Sequence, residues 1–141
     1  SIIAKHKGLA TSTLLKCKEF WFELGSKTHN LDPKLHDKIF SLTSHLPHVV
    51  AFSLISLFSK RNTSEYKKYI GGGLKDFTRI AESDPKMWEN IFSLNKNNLL
   101  KDIGEIEKEI KKIKTFILED DGNKLGEHLK KIKKTRESLN R

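Results

Sequence analysis

The chain has 141 residues, of which 36% are hydrophobic and 32% charged, and this length suits one compact domain, or one and a fraction, with a core of its own. Lys and Arg total 27 against 18 Asp and Glu, and Cys17 is the single cysteine. A disulfide-stapled secreted scaffold is thereby excluded, and a reducing compartment is favoured. The longest apolar stretch, 46–58, is interrupted by Pro47 and polar residues and is too short for about 30 Å of hydrocarbon, so we expect no membrane partner.

The positive charge, formally +9, comes mostly from lysine. Four of the 27 basic residues are arginine: Arg61, Arg79, Arg136 and Arg141. Proteins that read base edges or phosphates favour the arginine fork, and here the excess of lysine is spread evenly along the chain. We therefore interpret the charge as a solvated lysine surface and expect no nucleic-acid partner.

The N-terminal part predicts a short βαβ unit. Residues 1–4 suit a strand, 8–25 form an apolar helical stretch that stops at Gly25, and 26–31 suit a second strand. Two strands leave most of their edges unpaired, so this unit is interpreted as a remnant of a larger sheet.

From Asp32 onward the sequence predicts only helices. The Asp32-Pro33 pair is typical of a helix start, and the same pair recurs at Asp84-Pro85. The first helix is predicted over 33–59 with one apolar stripe, and its run 49–57 suggests near-complete burial. After a break at 61–64, short helices are expected from Ser64 and over 75–81, and then one from Pro85 to Leu94.

The last third predicts two antiparallel helices whose apolar seams bury each other. The seams recur at spacings of three and four and are separated by a break at 119–122. Their members are Leu99, Ile103, Ile106, Ile110, Ile113 and Ile117 in the first helix, and Leu125, Leu129, Ile132 and Leu139 in the second. The apolar surface left on the 33–59 helix is expected to need a further partner.

A polar cluster interrupts the apolar helix at 41–48. Its side chains share one face by their spacing: Ser41, Ser44, His45 and His48. Pro47 removes a backbone donor beside them, at a cost of about 3 kcal/mol in a helix interior. Three interpretations stay open: core histidines bonded to backbone, a zinc site that would need His36 and Asp37, and a site for an anionic substrate.

A second candidate site begins at the glycine run 71–73. The run leads into a helix that carries Asp76 and Arg79, which are three residues apart and able to pair. The backbone donors of such a helix start can face an anion, although a simple turn between helices is an equal alternative. Trp88 follows in the helix after Asp84-Pro85 and suits either the core or a ligand contact.

Three separated segments resemble, in order, motifs in the C-terminal half of prephenate and arogenate dehydrogenases. They read HD at 36–37, SHLPHVVAF at 44–52 and GGGLKDFTRIAESDPKMW at 71–88, and WFELG at 21–25 followed by LDP at 31–33 is similar to the family's entry into its helical domain. The resemblance implies a mainly α fold, a helical dimerisation domain of the 6-phosphogluconate-dehydrogenase-like type. Residues 1–31 would be the end of a Rossmann nucleotide-binding domain, and 32–141 the substrate-binding and dimerisation domain.

The resemblance also implies a reaction, the NAD(P)-dependent oxidative decarboxylation of prephenate to 4-hydroxyphenylpyruvate in tyrosine biosynthesis, or the corresponding reaction of arogenate. Arg79 would clamp a substrate carboxylate, held by Asp76, and His48 would donate to the substrate with support from Ser44 and His45. Gly72 and Trp88 would close the pocket, in this family from the other subunit of a homodimer. The family's catalytic histidine lies in the nucleotide-binding domain and has no counterpart here, and no metal is implied.

The chain has neither an initiator Met nor a GxGxxG motif. We therefore expect a part of a longer cytoplasmic enzyme whose missing N-terminal domain binds NAD or NADP, and we expect this part alone to be inactive. A non-catalytic helical module for dimerisation or ligand sensing is the alternative. The choices between prephenate and arogenate and between NAD and NADP, and feedback by tyrosine, stay open.

Overall fold

The computed structural model describes residues 1–61 and 63–139. Asn62, in the predicted break at 61–64, lies outside the described residues, as do Asn140 and Arg141. The chain divides into two compact units, Ser1–Leu100 and Lys101–Arg141.

The N-terminal βαβ unit is confirmed. Strand β1 (Ile2–Ala4) pairs in parallel with β2 (His29–Leu31), with Ile2 opposite His29, and helix α1 (Thr11–Glu23) connects them. The helix begins later than predicted, because Gly8 adopts a φ of 92° that no helix allows. Gly25, at a φ of 77°, ends it as the sequence predicted.

The predicted helix over 33–59 is continuous but contains one wide turn. It consists of α2 (Pro33–Phe40), a π turn (Ser41–His45) and α3 (Leu46–Ser59). The Asp32 carboxylate caps α2 by accepting the backbone N–H groups of Lys34 and Leu35. In the π turn the N–H of Leu46 donates to the carbonyl oxygen of Ser41, five residues back. The wide turn ends two residues before Pro47, which has no N–H to continue an α-helical ladder.

The prediction that 49–57 is almost completely buried is wrong. In that run Ala51 is fully buried, whereas Ile55 and Leu57 are exposed. The reason is that short elements of the Ser1–Leu100 unit pack against α3 and cover only part of its circumference.

The segment Pro33–Ser59 is long and apolar enough to cross a membrane by length and composition. The sequence-based argument that no stretch is long enough therefore does not hold. The core helix of a soluble protein can be equally long and apolar, so length and composition do not distinguish a membrane span from a core helix.

Five short elements follow. They are α4 (Thr63–Tyr66), a 3₁₀ turn (Lys67–Tyr69), α5 (Gly72–Thr78), a second 3₁₀ turn (Arg79–Glu82) and α6 (Pro85–Leu94). Helix α5 begins within the glycine run, three residues before the prediction, and changes to 3₁₀ geometry at Arg79. The Asp84 carboxylate accepts the N–H of Met87 at 2.6 Å and confirms the predicted helix start.

The chain ends with α7 (Lys96–Leu118) and α8 (Gly122–Ser138), which confirms the two predicted helices. Asp120 adopts a φ of 52° between them, and Asp121 caps α8 by accepting the N–H of Lys124. The prediction that the two seams bury each other is wrong for half of their ten members, two in the first helix and three in the second, because these side chains are exposed. The exposed seam residues are Ile110, Ile117, Leu129, Ile132 and Leu139.

Candidate functional site

The polar cluster of the π turn meets helix α6 at Trp88. The imidazole of His48 stacks on the Trp88 indole with ring centroids 3.6 Å apart and planes 24° apart. The His45 ring stands edge-on to the same indole, at 6.1 Å and 77°. Trp88 is 6% exposed, so this aromatic contact closes one side of the cluster.

The Trp88 indole has an unused hydrogen-bond donor. Its Nε1 is buried and has no partner among the described residues. An unpaired buried donor costs about 1–3 kcal/mol, so folded proteins rarely leave one without a function. Because this nitrogen is buried, it has no surface open to a ligand in this structure.

His48 is oriented by the backbone of the π turn. Its Nδ1 lies 2.9 Å from the carbonyl oxygen of Ser44, and since a carbonyl only accepts, Nδ1 carries the proton. The neutral ring therefore presents a bare Nε2. The expected role of His48 as a donor to substrate through Nε2 requires the imidazolium form.

His45 is oriented by a residue that the sequence reasoning missed. The side-chain Nδ2 of Asn95, directly after α6, lies 3.2 Å from Nδ1 of His45. Burial, followed by the positive field of His36, lowers the pKa of His45; Asp37 opposes this shift, and His48 adds to it. Asn95 follows the predicted helix end at Leu94, and no local pattern distinguishes it from an ordinary polar helix terminus.

Arg79 and Asp76 line a second part of the site. Both border a cavity of about 530 Å³ whose apolar wall includes Ile55, Phe58 and Ile70. The expected ion pair between Asp76 and Arg79 is not formed within 4.0 Å in the described part of the chain. The Arg79 guanidinium is thus not held by that carboxylate. A Cβ atom added at Gly72 would lie 3.8 Å from Oδ2 of Asp76, an ordinary contact, so space for a Cβ does not require a glycine there.

The predicted site residues form two groups. Ser44, His45, His48 and Trp88 are in contact, and Gly72, Asp76 and Arg79 lie together on α5 and the 3₁₀ turn that follows it. Helix α5 and this turn pack against α3, which carries His48. Trp88 contacts the histidines of its own chain, and its expected part in closing the pocket of the other subunit stays a prediction.

The described residues do not fit a dinucleotide or a metal. The β1–α1 connection has no glycine-rich phosphate loop, and the glycine run at 71–73 opens a seven-residue helix with no strand before it. Within residues 1–61 and 63–139, no group of three or more His, Cys, Asp or Glu side chains is placed to hold a metal ion. The zinc interpretation therefore has no support in these residues.

Comparison with known proteins identifies the family. The family model described as prephenate dehydrogenase, dimerization domain, matches residues 32–131. The chain belongs to this family. Among curated relatives, the cyclohexadienyl dehydrogenase of Zymomonas mobilis is 36% identical over 124 residues, and the prephenate dehydrogenase of Bacillus subtilis is 36% identical over 119. These alignments cover 86% and 82% of the chain but 42% and 32% of the relatives.

Solved structures of prephenate dehydrogenases have the same fold. The Aquifex aeolicus prephenate dehydrogenase, solved in complex with hydroxyphenyl propionate and NAD+, is 40% identical with a TM-score of 0.87 over 98% of the chain and 49% of the relative. The Synechocystis arogenate dehydrogenase matches with a TM-score of 0.81 at 19% identity, which shows the fold alone. The chain spans about half the length of these solved prephenate and arogenate dehydrogenases.

Proposed function

We propose that the chain is the substrate-binding and dimerisation part of an NAD(P)-dependent dehydrogenase that oxidatively decarboxylates prephenate or arogenate. Family membership and the likeness to the Aquifex aeolicus enzyme support the reaction class. The observation that carries the proposal is Arg79 at the border of a cavity with an apolar wall, on a turn that packs against the helix that carries His48. A guanidinium fork beside an apolar wall suits a carboxylate that is attached to a ring.

The chain's own residues bind and orient the substrate. Arg79 offers a bidentate fork to one carboxylate, and the cavity at Ile55, Phe58 and Ile70 gives its aliphatic stem and the substrate ring an apolar wall. The two histidines beside Trp88 contact the rest of the substrate, and the neutral His48 ring does so as an acceptor at Nε2. NAD(P), bound outside this chain, would accept the hydride, and the residues described above supply no site for it.

The domain division belongs to the same proposal. Residues 1–31 would complete the sheet of a nucleotide-binding domain, since β1 and β2 form a two-stranded parallel sheet with open edges. Residues 32–141 would form the helical domain, and a second copy would cover the exposed apolar side chains of Pro33–Ser59. We expect this homodimer in the cytoplasm.

Arg79 gives the direct test of the proposed substrate. Arg79→Ala is expected to weaken prephenate binding about 10- to 100-fold, because a charge-assisted hydrogen bond contributes about 1.5–3 kcal/mol. Arg79→Lys should keep the charge but lose the fork, and so bind with intermediate affinity. Calorimetric titration of prephenate and of arogenate into the chain measures both affinities and ranks the two substrates.

Arg61→Ala is the matched control, since Arg61 is an exposed arginine in the turn after α3. It should bind prephenate like the wild type. Equal binding by wild type and Arg79→Ala would refute the role of Arg79, and no binding of either ligand by the wild type would refute the proposed function.

A further inference from the structure

Asn95 connects three parts of the Ser1–Leu100 unit through one side chain. It is 7% exposed and lies between α6 and α7. Its Nδ2 donates to the carbonyl oxygen of Asp37 at 2.7 Å and lies 3.2 Å from Nδ1 of His45, while its Oδ1 accepts from Nδ2 of Asn98 at 2.8 Å. A buried amide with partners on both ends is held in one orientation.

The carbonyl oxygen of Asp37 decides which end of the amide faces His45. A carbonyl only accepts, so the Asn95 atom 2.7 Å from it must be the NH₂ group. Exchanging the two ends would place two acceptors against each other in a buried position, which costs the hydrogen bond and the desolvation of both groups. The second hydrogen of the NH₂ group remains for Nδ1 of His45.

The tautomer of His45 follows from this contact. A ring nitrogen that accepts a hydrogen bond carries no proton, so the neutral ring carries its proton on Nε2. His48 is held in the opposite tautomer, because its Nδ1–H donates to Ser44. The two rings beside Trp88 therefore offer one donor and one acceptor at their Nε2 atoms.

We propose that Asn95 is a positioning residue that holds His45 in the Nε2–H tautomer, so that His45 donates a hydrogen bond to an oxygen of the bound substrate. This inference rests on the proposed function, which supplies the anionic substrate. Asn95 acts through His45 and does not itself touch the substrate.

The wild-type chain gives the first test, since it requires no variant to fold. Two-dimensional ¹⁵N–¹H spectra of the imidazoles distinguish the two neutral tautomers, and loss of signals in His45→Asn assigns the ring. We expect His45 at neutral pH with a protonated Nε2 and a bare Nδ1. The Nδ1–H tautomer, or the imidazolium, would overturn the inference.

Asn95→Asp gives the second test, with Asn97→Asp as the matched control. The Asn95 exchange replaces the NH₂ donor by a carboxylate oxygen, so the proton should move to Nδ1 of His45, whereas Asn97 is exposed and its exchange should leave the tautomer unchanged. Prephenate should bind about 10- to 100-fold more weakly to Asn95→Asp and normally to Asn97→Asp. Because a carboxylate also repels an anionic ligand, affinity and tautomer are measured together.

The outcomes separate this inference from the proposed function. The role of Asn95 is overturned if Asn95→Asp binds prephenate with wild-type affinity. It is also overturned if the variant binds more weakly but His45 keeps the Nε2–H tautomer. The proposed function stands in both cases. A wild-type chain that binds no prephenate overturns the proposed function and the substrate contact of His45 with it. If Asn95→Asp does not fold, the wild-type tautomer decides.

Discussion

At the scale of single residues, His45 and His48 differ more than their spacing of three suggests. Both rings lie against Trp88, yet a side-chain amide orients His45 and a backbone carbonyl orients His48. Protonating His45 would place an N–H group against the NH₂ group of Asn95. This agrees with the lowered pKa of His45, which burial and the neighbouring His36 cause in that order.

The His45 contact makes the stability of the fold sensitive to acid. Because the pKa of His45 is lower in the folded chain than the value of 6.5 for a free side chain, protonation favours the unfolded chain. The contribution of His45 is therefore complete above pH 6.5 and is lost as the pH falls from there toward the folded-state pKa. We expect the free energy of unfolding, measured with urea, to fall between about pH 7.5 and about pH 5.5.

His45→Asn should reduce that fall, since it removes the titrating ring. His6→Asn is the control, because His6 lies exposed in the β1–α1 connection and should leave the pH dependence close to that of the wild type. An unchanged pH dependence in His45→Asn would contradict the prediction.

Spacing along the chain predicted part of the site at this scale. Their separation places Ser44, His45 and His48 on one face, and the fold keeps them near one another. The stacking of Trp88 on His48 and the hydrogen bond from Asn95 to His45 join residues that are 40 and 50 positions apart in the sequence. Such contacts depend on how α6 lies against the π turn, and no local pattern encodes that arrangement.

At the scale of elements, α6 delivers two of these contacts at once. It carries Trp88 in its first half and ends directly before Asn95. The Asp84 carboxylate fixes its start by accepting the N–H of Met87, and Pro85 occupies the first helical position. The start of this helix therefore determines where both side chains lie.

Asp84→Ala is expected to lower the free energy of unfolding by about 1 kcal/mol, since it removes the capping acceptor. Asp84→Asn should keep most of the stability, because asparagine caps helices about as well. Urea unfolding of the two variants at neutral pH measures the difference. Equal losses in both variants would show that the charge of Asp84, and not its hydrogen bond, stabilises the helix start.

Helix starts and stops were the most predictable elements. Asp32-Pro33, Asp84-Pro85 and Gly25 carry local signals that act through one or two hydrogen bonds, and each works as predicted. The π turn was not predicted. Pro47 marked an irregularity in the helix but did not determine whether the chain would kink or widen by one residue.

At the scale of the whole molecule, apolar side chains remain exposed along the Pro33–Ser59 segment. Leu42 and Leu57 are 59% and 52% exposed. Periodicity predicted which side chains are apolar but not which of them find a neighbour, since that depends on elements far away in the sequence or in another chain. The proposed second copy would cover this surface.

We therefore expect the chain to be a homodimer at micromolar concentration, with a mass of twice 16.3 kDa by light scattering after size exclusion. Leu42→Lys with Leu57→Lys should shift it to the monomer, because burying each leucine contributes about 1.5–3 kcal/mol. Lys60→Glu, a charge change at the exposed residue directly after this segment, should leave the dimer intact.

A wild-type chain that is monomeric under these conditions would contradict the dimer. Sedimentation with lipid vesicles tests the alternative that lipid covers the exposed apolar side chains of Pro33–Ser59, since the length and composition of this segment would also suit a membrane. Pelleting with vesicles that the two lysine exchanges abolish would assign the surface to lipid.

The π turn also sets the rotational phase of the segment that contains it. Each of its hydrogen bonds encloses one residue more than an α-helical bond, so the side chains after it are rotated by about 100° relative to an uninterrupted helix. An apolar stripe that is counted at the α-helical period from Leu35 to Leu57 therefore combines side chains from two different faces of the helix. The site therefore depends on the number of residues between Asp32 and His48 as well as on which residues they are. With one residue fewer, His48 would be rotated away from the face that α2 defines.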